Sequence, residues 1–190
     1  MDFNNLVKEK KIIDLQKANG EALKYLVLFV VVFAVPFYFI WGFELPKLNS
    51  EYLILKALTP LIILLLGIVA HELIHGIFFA LYASKGIKSI TFGILWKTLT
   101  PYCHCKEPLK IKHYIIALLA PLLILGVIPS VFGLIGGNGF FLIFGIFFSA
   151  AAAGDLMIYL LIRKENREDY VQDHPSEAGY YIFRKNKSEE

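Results

Sequence analysis

The chain has 190 residues, is 57% hydrophobic and carries a formal net charge of +3. A soluble domain is usually about 45–50% apolar. The excess lies in long blocks, which argues against a soluble globular protein and for a polytopic membrane protein. The small charge, the lack of a basic patch interleaved with aromatics and the lack of a nucleotide-binding glycine motif leave no footing for nucleic-acid recognition.

Read in chain order, residues 1–24 form a cytoplasmic juxtamembrane segment. Phe3, Leu6, Val7, Ile12, Ile13 and Leu15 mix there with lysines. The pattern suits an amphipathic helix on the inner leaflet or a solvated juxtamembrane helix. No small-residue cleavage site follows, so the first apolar run is expected to stay as an anchor. Four apolar blocks then occupy residues 25–163: Tyr25 to Phe43 with a kink expected at Pro36, Ala57 to Ala83 with Pro60 in its first turn, His113 to Ile135 with Pro121 and Pro129, and Phe140 to Ile162. Each is close to the ~20 residues that a helix needs to cross a bilayer. Between the second and third, Ile87 to Ile94 alternates and is rich in β-formers, and Leu95 to Thr100 reads as a second strand. A short membrane-adjacent β-hairpin is expected there. The expected class is thus an all-α polytopic membrane protein with about four transmembrane helices and that hairpin, ending in a cytoplasmic tail at 164–190.

Orientation follows from the basic residues. Five precede the first block (Lys8, Lys10, Lys11, Lys17, Lys24), six lie between the second and third (Lys85, Lys88, Lys97, Lys106, Lys110, Lys112) and six follow the fourth (Arg163, Lys164, Arg167, Arg184, Lys185, Lys187). The other side holds only Lys47 and Lys56. The positive-inside rule places both termini in the cytoplasm. A short polytopic chain with this bias fits a bacterial inner membrane.

The second block carries His71-Glu72-Leu73-Ile74-His75. A charge at the bilayer centre costs about 3 kcal/mol, so ionisable side chains here are a functional-site hypothesis by default. Histidines at i and i+4 share a helix face, and His-Glu-x-x-His is the spacing that binds zinc with a carboxylate at hand as general base. Zinc in hydrolases takes three protein ligands and keeps one position open. Asp155, in the fourth block after Ala150 to Gly154, answers for the third. Counted at 1.5 Å per residue, His71, His75 and Asp155 all lie roughly 12–18 Å from the inner boundary. Its rival role is a cavity-lining or helix-pairing carboxylate.

Other candidates carry weaker signals. Cys103-His104-Cys105 could bind metal but lacks the paired spacing of a structural zinc site and reads as a polar loop. Its thiols are expected on the reducing side, without a disulfide. His113 reads as interfacial. His174, in Asp173-His174-Pro175, is a turn residue or a ligand or proton donor reaching back to the site. His104 and His174 are therefore secondary candidates.

The buried motif followed by an intramembrane aspartate resembles the site-2 protease class of intramembrane metalloproteases. That resemblance implies zinc on His71, His75 and Asp155 and water activation by Glu72. The order of features is more closely similar to a bacterial membrane family described as "putative zincin peptidases". The features are the helical motif, Tyr102 to Cys105, Pro108-Leu109, Ala120-Pro121, Gly154-Asp155-Leu156 and Asp173 to Gly179. The expected function is a zinc-dependent intramembrane endopeptidase whose partners are the lipid bilayer and a membrane protein or peptide substrate. The rivals are a non-catalytic metal-binding membrane protein and an ion- or proton-conducting bundle using Glu72 and Asp155.

Overall fold

The computed structural model describes residues 7–12, 15–42, 53–96, 100–174 and 179–184. Its helices are α1 (Leu15–Phe29), α2 (Val35–Trp41), α3 (Leu53–Tyr82), α4 (Ile111–Pro121), α5 (Ile128–Gly136), α6 (Gly139–Ala151) and α7 (Ala153–Ile162). Its strands are β1 (Val7–Ile12), β2 (Ile90–Leu95), β3 (Thr100–Cys105), β4 (Leu109–Lys110), β5 (Tyr170–Asp173) and β6 (Gly179–Arg184). The chain is mostly helical. Three helical stretches, Gly20–Trp41, Leu58–Tyr82 and Ile111–Gly136, are long and apolar enough to cross a membrane. A fourth counts if α6 and α7, bent by 48°, are one span.

The prolines explain the irregular turns. Proline lacks the N–H of a helical turn, and its ring crowds the carbonyl four residues earlier. A wider π-helical turn relieves both problems. One such turn, Val30–Ala34, joins α1 to α2 just before Pro36. Another, Leu122–Val127, joins α4 to α5 just before Pro129. Pro60 differs from expectation: α3 begins at Leu53, so Pro60 lies in the helix interior rather than its first turn.

Two stripes run along α3 at four-residue spacing, the repeat that keeps side chains on one helix face. Leu65, Val69, Leu73, Ile77 and Leu81 point outward and are exposed. Gly67, His75, Phe79 and Ala83 are buried, with the half-buried His71 in the same row. An exposed row of large aliphatic side chains of this length suits lipid rather than water. On the other side of the bundle, α5 and the π turn before it meet α6 through small residues. A Cβ on Gly133 would lie 2.4 Å from the Leu142 nitrogen, so the backbones touch. Asn138 caps α6, its side-chain oxygen accepting from the N–H groups of Phe140 (3.1 Å) and Phe141 (3.2 Å). The Trp41 indole N–H donates to the Leu134 carbonyl (2.9 Å) and ties α2 to α5.

The all-α expectation needs correcting, because the strands form two sheets. β2 and β3 make the hairpin between α3 and α4, with Phe92 opposite Cys103. Its first strand starts at Ile90 because Gly86–Ser89 coils as a 3-10 turn, and its second runs through the cysteines instead of ending at Thr100. The other sheet is antiparallel, in the order β1-β6-β5-β4. Residues 7–12, expected to be helical, extend instead because β6 supplies a partner, with Val7 opposite Arg184 and Ile12 opposite Gly179. Lys8 stacks over the Tyr181 ring at 3.8 Å, and Arg184 reaches Glu9 (3.4 Å) and Glu165 (2.6 Å). The remaining residues of the N-terminal segment up to Leu6 lie outside the described residues.

The sheet presses Leu109, Val171, Tyr180 and Ile182 into the main core beside Phe79, Ile111, Tyr114 and Ile162. Helix α4 has no side-chain N-cap. Instead its Ile111 and Lys112 amides donate to the carbonyls of Asp169 (2.9 Å) and Arg167 (3.2 Å). β1 precedes the first long helix and β5 and β6 follow the last, so both ends of the chain meet at one end of the helix bundle. The hairpin joins them there, since the Cys105 N–H donates to Asp173 (3.0 Å).

The tight α5–α6 contact predicts the effect of adding one methyl group. A Cβ on Gly145 would stand 2.4 Å from the Ser130 nitrogen and 2.5 Å from the Gly126 oxygen. Gly145→Ala should lower stability in detergent by about 1–3 kcal/mol. Gly20→Ala, which meets nothing within 4 Å, should be neutral or stabilising by up to about 1 kcal/mol. Thermal melts that show the two variants alike would refute the close approach.

Candidate metal centre

The inward row of α3 brings His71 and His75 together, their ring centroids 4.9 Å apart. Asp155 arrives from α7. The helix breaks at Ala152, and the 48° bend turns the first turn of α7, with Asp155 on it, towards α3. The His71 Nε2 lies 3.2 Å from Asp155 Oδ2 and the His75 Nε2 lies 3.4 Å from Asp155 Oδ1. One ligand atom from each of the three residues falls within 4.8 Å of the others. The side chains are 12%, 8% and 16% exposed, so little water reaches them.

The hydrogen-bonding around the rings bears on what the cluster can hold. The His75 Nδ1 lies 3.0 Å from the Ala117 carbonyl. That oxygen can only accept, so Nδ1 carries a proton, and in the neutral ring Nε2 presents a lone pair. The lone pair faces a carboxylate oxygen, and two acceptors at this distance repel unless a proton or a cation stands between them. A backbone carbonyl behind a metal-ligating histidine is the usual outer support of such a site. The donor set, two imidazoles and a carboxylate with both acceptors converging, fits zinc. The His71 Nδ1 is buried and has no hydrogen-bond partner among the described residues.

Glu72 follows the first histidine, and its carboxylate lies beside the main-chain N–H of Cys103 on the hairpin. The hairpin register makes this N–H available. Tyr102 and His104 sit opposite Gly93 and Thr91, and the alternation leaves the Cys103 and Cys105 amides on the outer edge of β3. Gly76 lets the hairpin sit close, because a Cβ there would come within 2.4 Å of the Phe92 ring. At the hairpin base Glu107 accepts from the Ser84 N–H (2.9 Å) and from the Ser84 and Ser89 hydroxyls. These donors hold its carboxyl below the usual range.

Two residues that the sequence reading passed over lie next to this arrangement. The Tyr114 hydroxyl donates to Asp173 Oδ1 (2.6 Å), and the Cys105 N–H donates to Asp173 Oδ2. Burial pushes the Asp173 carboxyl up, against the lowering effect of these two donors. Asp173 closes the short strand Tyr170–Asp173, and an acid at a strand end beside His174 carries little signal of its own in the sequence. His174 itself stacks on Tyr181 (4.8 Å) and bonds through its N–H to the Gly179 carbonyl (3.0 Å), on the sheet and outside the cluster. His104 approaches Asp173 at 3.8 Å and is not among the converging ligands. Cys103 and Cys105 are strand residues rather than loop residues, and both thiols are free. Burial raises the Cys103 thiol and pushes Cys105 to about 11, which leaves both protonated at neutral pH. His113 stacks on Tyr82 at 4.3 Å, joining the ends of α3 and α4.

Residues 64–170 match the family described as "Putative zincin peptidase". The chain belongs to that family. The matched span contains His71, Glu72, His75 and Asp155, so the family description, a zinc peptidase, and the converging side chains point the same way. No curated protein and no solved structure matches the chain.

If the cluster holds zinc, the protein purified in detergent should carry about one ion per chain, and His71→Ala, His75→Ala and Asp155→Ala should each lose most of it. Removing one of three ligands typically weakens binding far more than the 10- to 100-fold of an outer-shell change. Elemental analysis of the four proteins checks this; a zinc content that survives Asp155→Ala would remove Asp155 from the ligand set.

Proposed function

We propose that the protein is a zinc-dependent intramembrane endopeptidase that hydrolyses peptide bonds of membrane-embedded or membrane-adjacent substrates. The observation that carries this reading is the meeting of His71, His75 and Asp155 beside Glu72, on two helices of membrane-spanning composition. His71, His75 and Asp155 would hold the metal. When bound, zinc supplies Lewis acidity, polarising a carbonyl and making water nucleophilic near neutral pH. Glu72 accepts the proton of the attacking water at its carboxylate and returns it to the leaving nitrogen. The Cys103 N–H lies where it can orient that carboxylate, and the Ala117 carbonyl fixes the ring of His75. The apolar walls keep bulk water from these charges, which strengthens each electrostatic interaction.

The topology supports a site within the bilayer. A sheet that pairs β1 with β6 supports placing both strands on one side of the bilayer, with an even number of crossings between them. Four spans satisfy this when α6 and α7 count as one. The hairpin shares that side, which is also the side of seventeen of the nineteen Lys and Arg residues, so we assign it to the cytoplasm. Substrate segments have a route from the lipid. An apolar cleft of about 1100 Å³ lies between α2, α3 and α6. It is lined by Pro60, Leu64, Phe144 and Phe148, and the Phe148 ring packs on Gly67, one turn before His71. On the hairpin, β2 pairs only with β3 among the described residues, and its outer edge could hold an extended segment by strand addition.

Glu72→Gln separates this reading from a metal-binding protein without activity. The variant should keep its zinc and lose cleavage of any accepted substrate by about 10²–10⁴-fold, the usual worth of a general base. A Glu72→Gln protein that cuts as well as wild type would sink the proposed mechanism. Strand addition has its own test. The register turns the Ile94 N–H away from β3, so Ile94→Pro should preserve the hairpin and the zinc while cleavage falls severalfold; unchanged cleavage would dismiss β2 as the docking edge.

A further inference from the structure

We propose that Asp173 is a positioning residue for Glu72 and His75, a role that rests on the peptidase reading above. Its carboxylate bridges the two walls of the site. Oδ2 accepts from the Cys105 N–H on the outer edge of β3 (3.0 Å), and the next amide on that edge, Cys103, lies beside the Glu72 carboxylate. Oδ1 accepts from the Tyr114 hydroxyl on α4 (2.6 Å), and one turn further along α4 the Ala117 carbonyl receives His75 Nδ1. The Tyr114 ring lies 5.4 Å from Phe79, whose ring stacks 6.0 Å from His75. One side chain therefore sets the spacing between the strand that orients Glu72 and the helix that orients His75.

Asp173 closes β5, where it sits opposite Tyr180 of β6, and β6 is held in turn by β1. The active-site geometry is thus tied to the sheet built from both ends of the chain. Two neutral donors on one buried carboxylate form a charge-assisted pair, stronger than either neutral hydrogen bond alone. Neither Asp173 nor Tyr114 belongs to the converging ligand set, so the brace acts on orientation and leaves metal binding alone.

The test compares wild type, Asp173→Ala and Tyr114→Phe, the last of which keeps the ring packing and removes one bond. Amide hydrogen exchange, zinc content and cleavage of unfolded casein are measured in detergent. In Asp173→Ala the Cys103 and Cys105 amides should exchange at least about tenfold faster, as expected for a lost buried hydrogen bond. Exchange across residues 67–79 and the zinc content should not change. The kcat for casein should fall at least about tenfold with KM nearly constant, since misplacing a catalytic group by a fraction of an ångström acts on the chemical step. Tyr114→Phe should shift the same readouts less, and the double variant should be no worse than Asp173→Ala. Wild-type exchange at Cys103 in Asp173→Ala, loss of zinc, or an unchanged kcat would each overturn the positioning role. Wild type that fails to cleave casein overturns the peptidase reading for this substrate, while the exchange measurement still decides whether Asp173 braces β3.

Discussion

Four ionisable side chains, His71, Glu72, His75 and Asp155, sit in strongly apolar stretches of α3 and α7, and three of them satisfy one another there. His71, His75 and Asp155 do so by converging within 4.8 Å. A lone charge in such a setting costs about 3 kcal/mol, and an unpartnered polar group costs less but still weighs against folding. Much of the architecture serves that convergence. The four-residue rows of α3 put both imidazoles inward, the break at Ala152 swings Asp155 towards them, and Ala117 lends the carbonyl that fixes the tautomer of His75. Small residues elsewhere in the bundle allow the helix approach that a shared site requires.

Local patterns were readable from the sequence, and distant partnerships were not. Three of the four apolar blocks correspond to long helices, because length and hydropathy are properties of each segment alone, while the fourth is broken at Ala152. Asp155 could be matched to the histidines because membrane depth can be counted along a chain. The four-stranded sheet could not be read in this way. Val7 to Ile12 carries a pattern that admits a helix, and only β6, far along the chain, decides for a strand. Asp173 was missed for the same reason, since its partners Tyr114 and Cys105 lie 59 and 68 positions away. The π turns before Pro36 and Pro129 fall in between: each proline signals a disturbance, and its form depends on the neighbouring helices.

The hairpin and the sheet give the bundle a rigid end. Glu107 stitches the hairpin base to the end of α3 through Ser84 and Ser89. The Arg167 and Asp169 carbonyls cap α4 from the segment leading into the sheet. Glu72 and His75 therefore take their orientation from elements at the polar end of the molecule, while their burial comes from the apolar helices. The orientation of these side chains and their burial are thus assigned to different parts of the chain.

The pairing of β1 with β6 also sets an order of events during synthesis. The strand made first, Val7 to Ile12, has only β6 as its partner among the described strands, and β6 is made last. Every long helix leaves the ribosome before that partner exists. β1 must wait, unpaired, through the synthesis of the whole helical bundle, and the sheet closes only once Arg184 has emerged. Emergence of β6 is thus the step that closes the sheet.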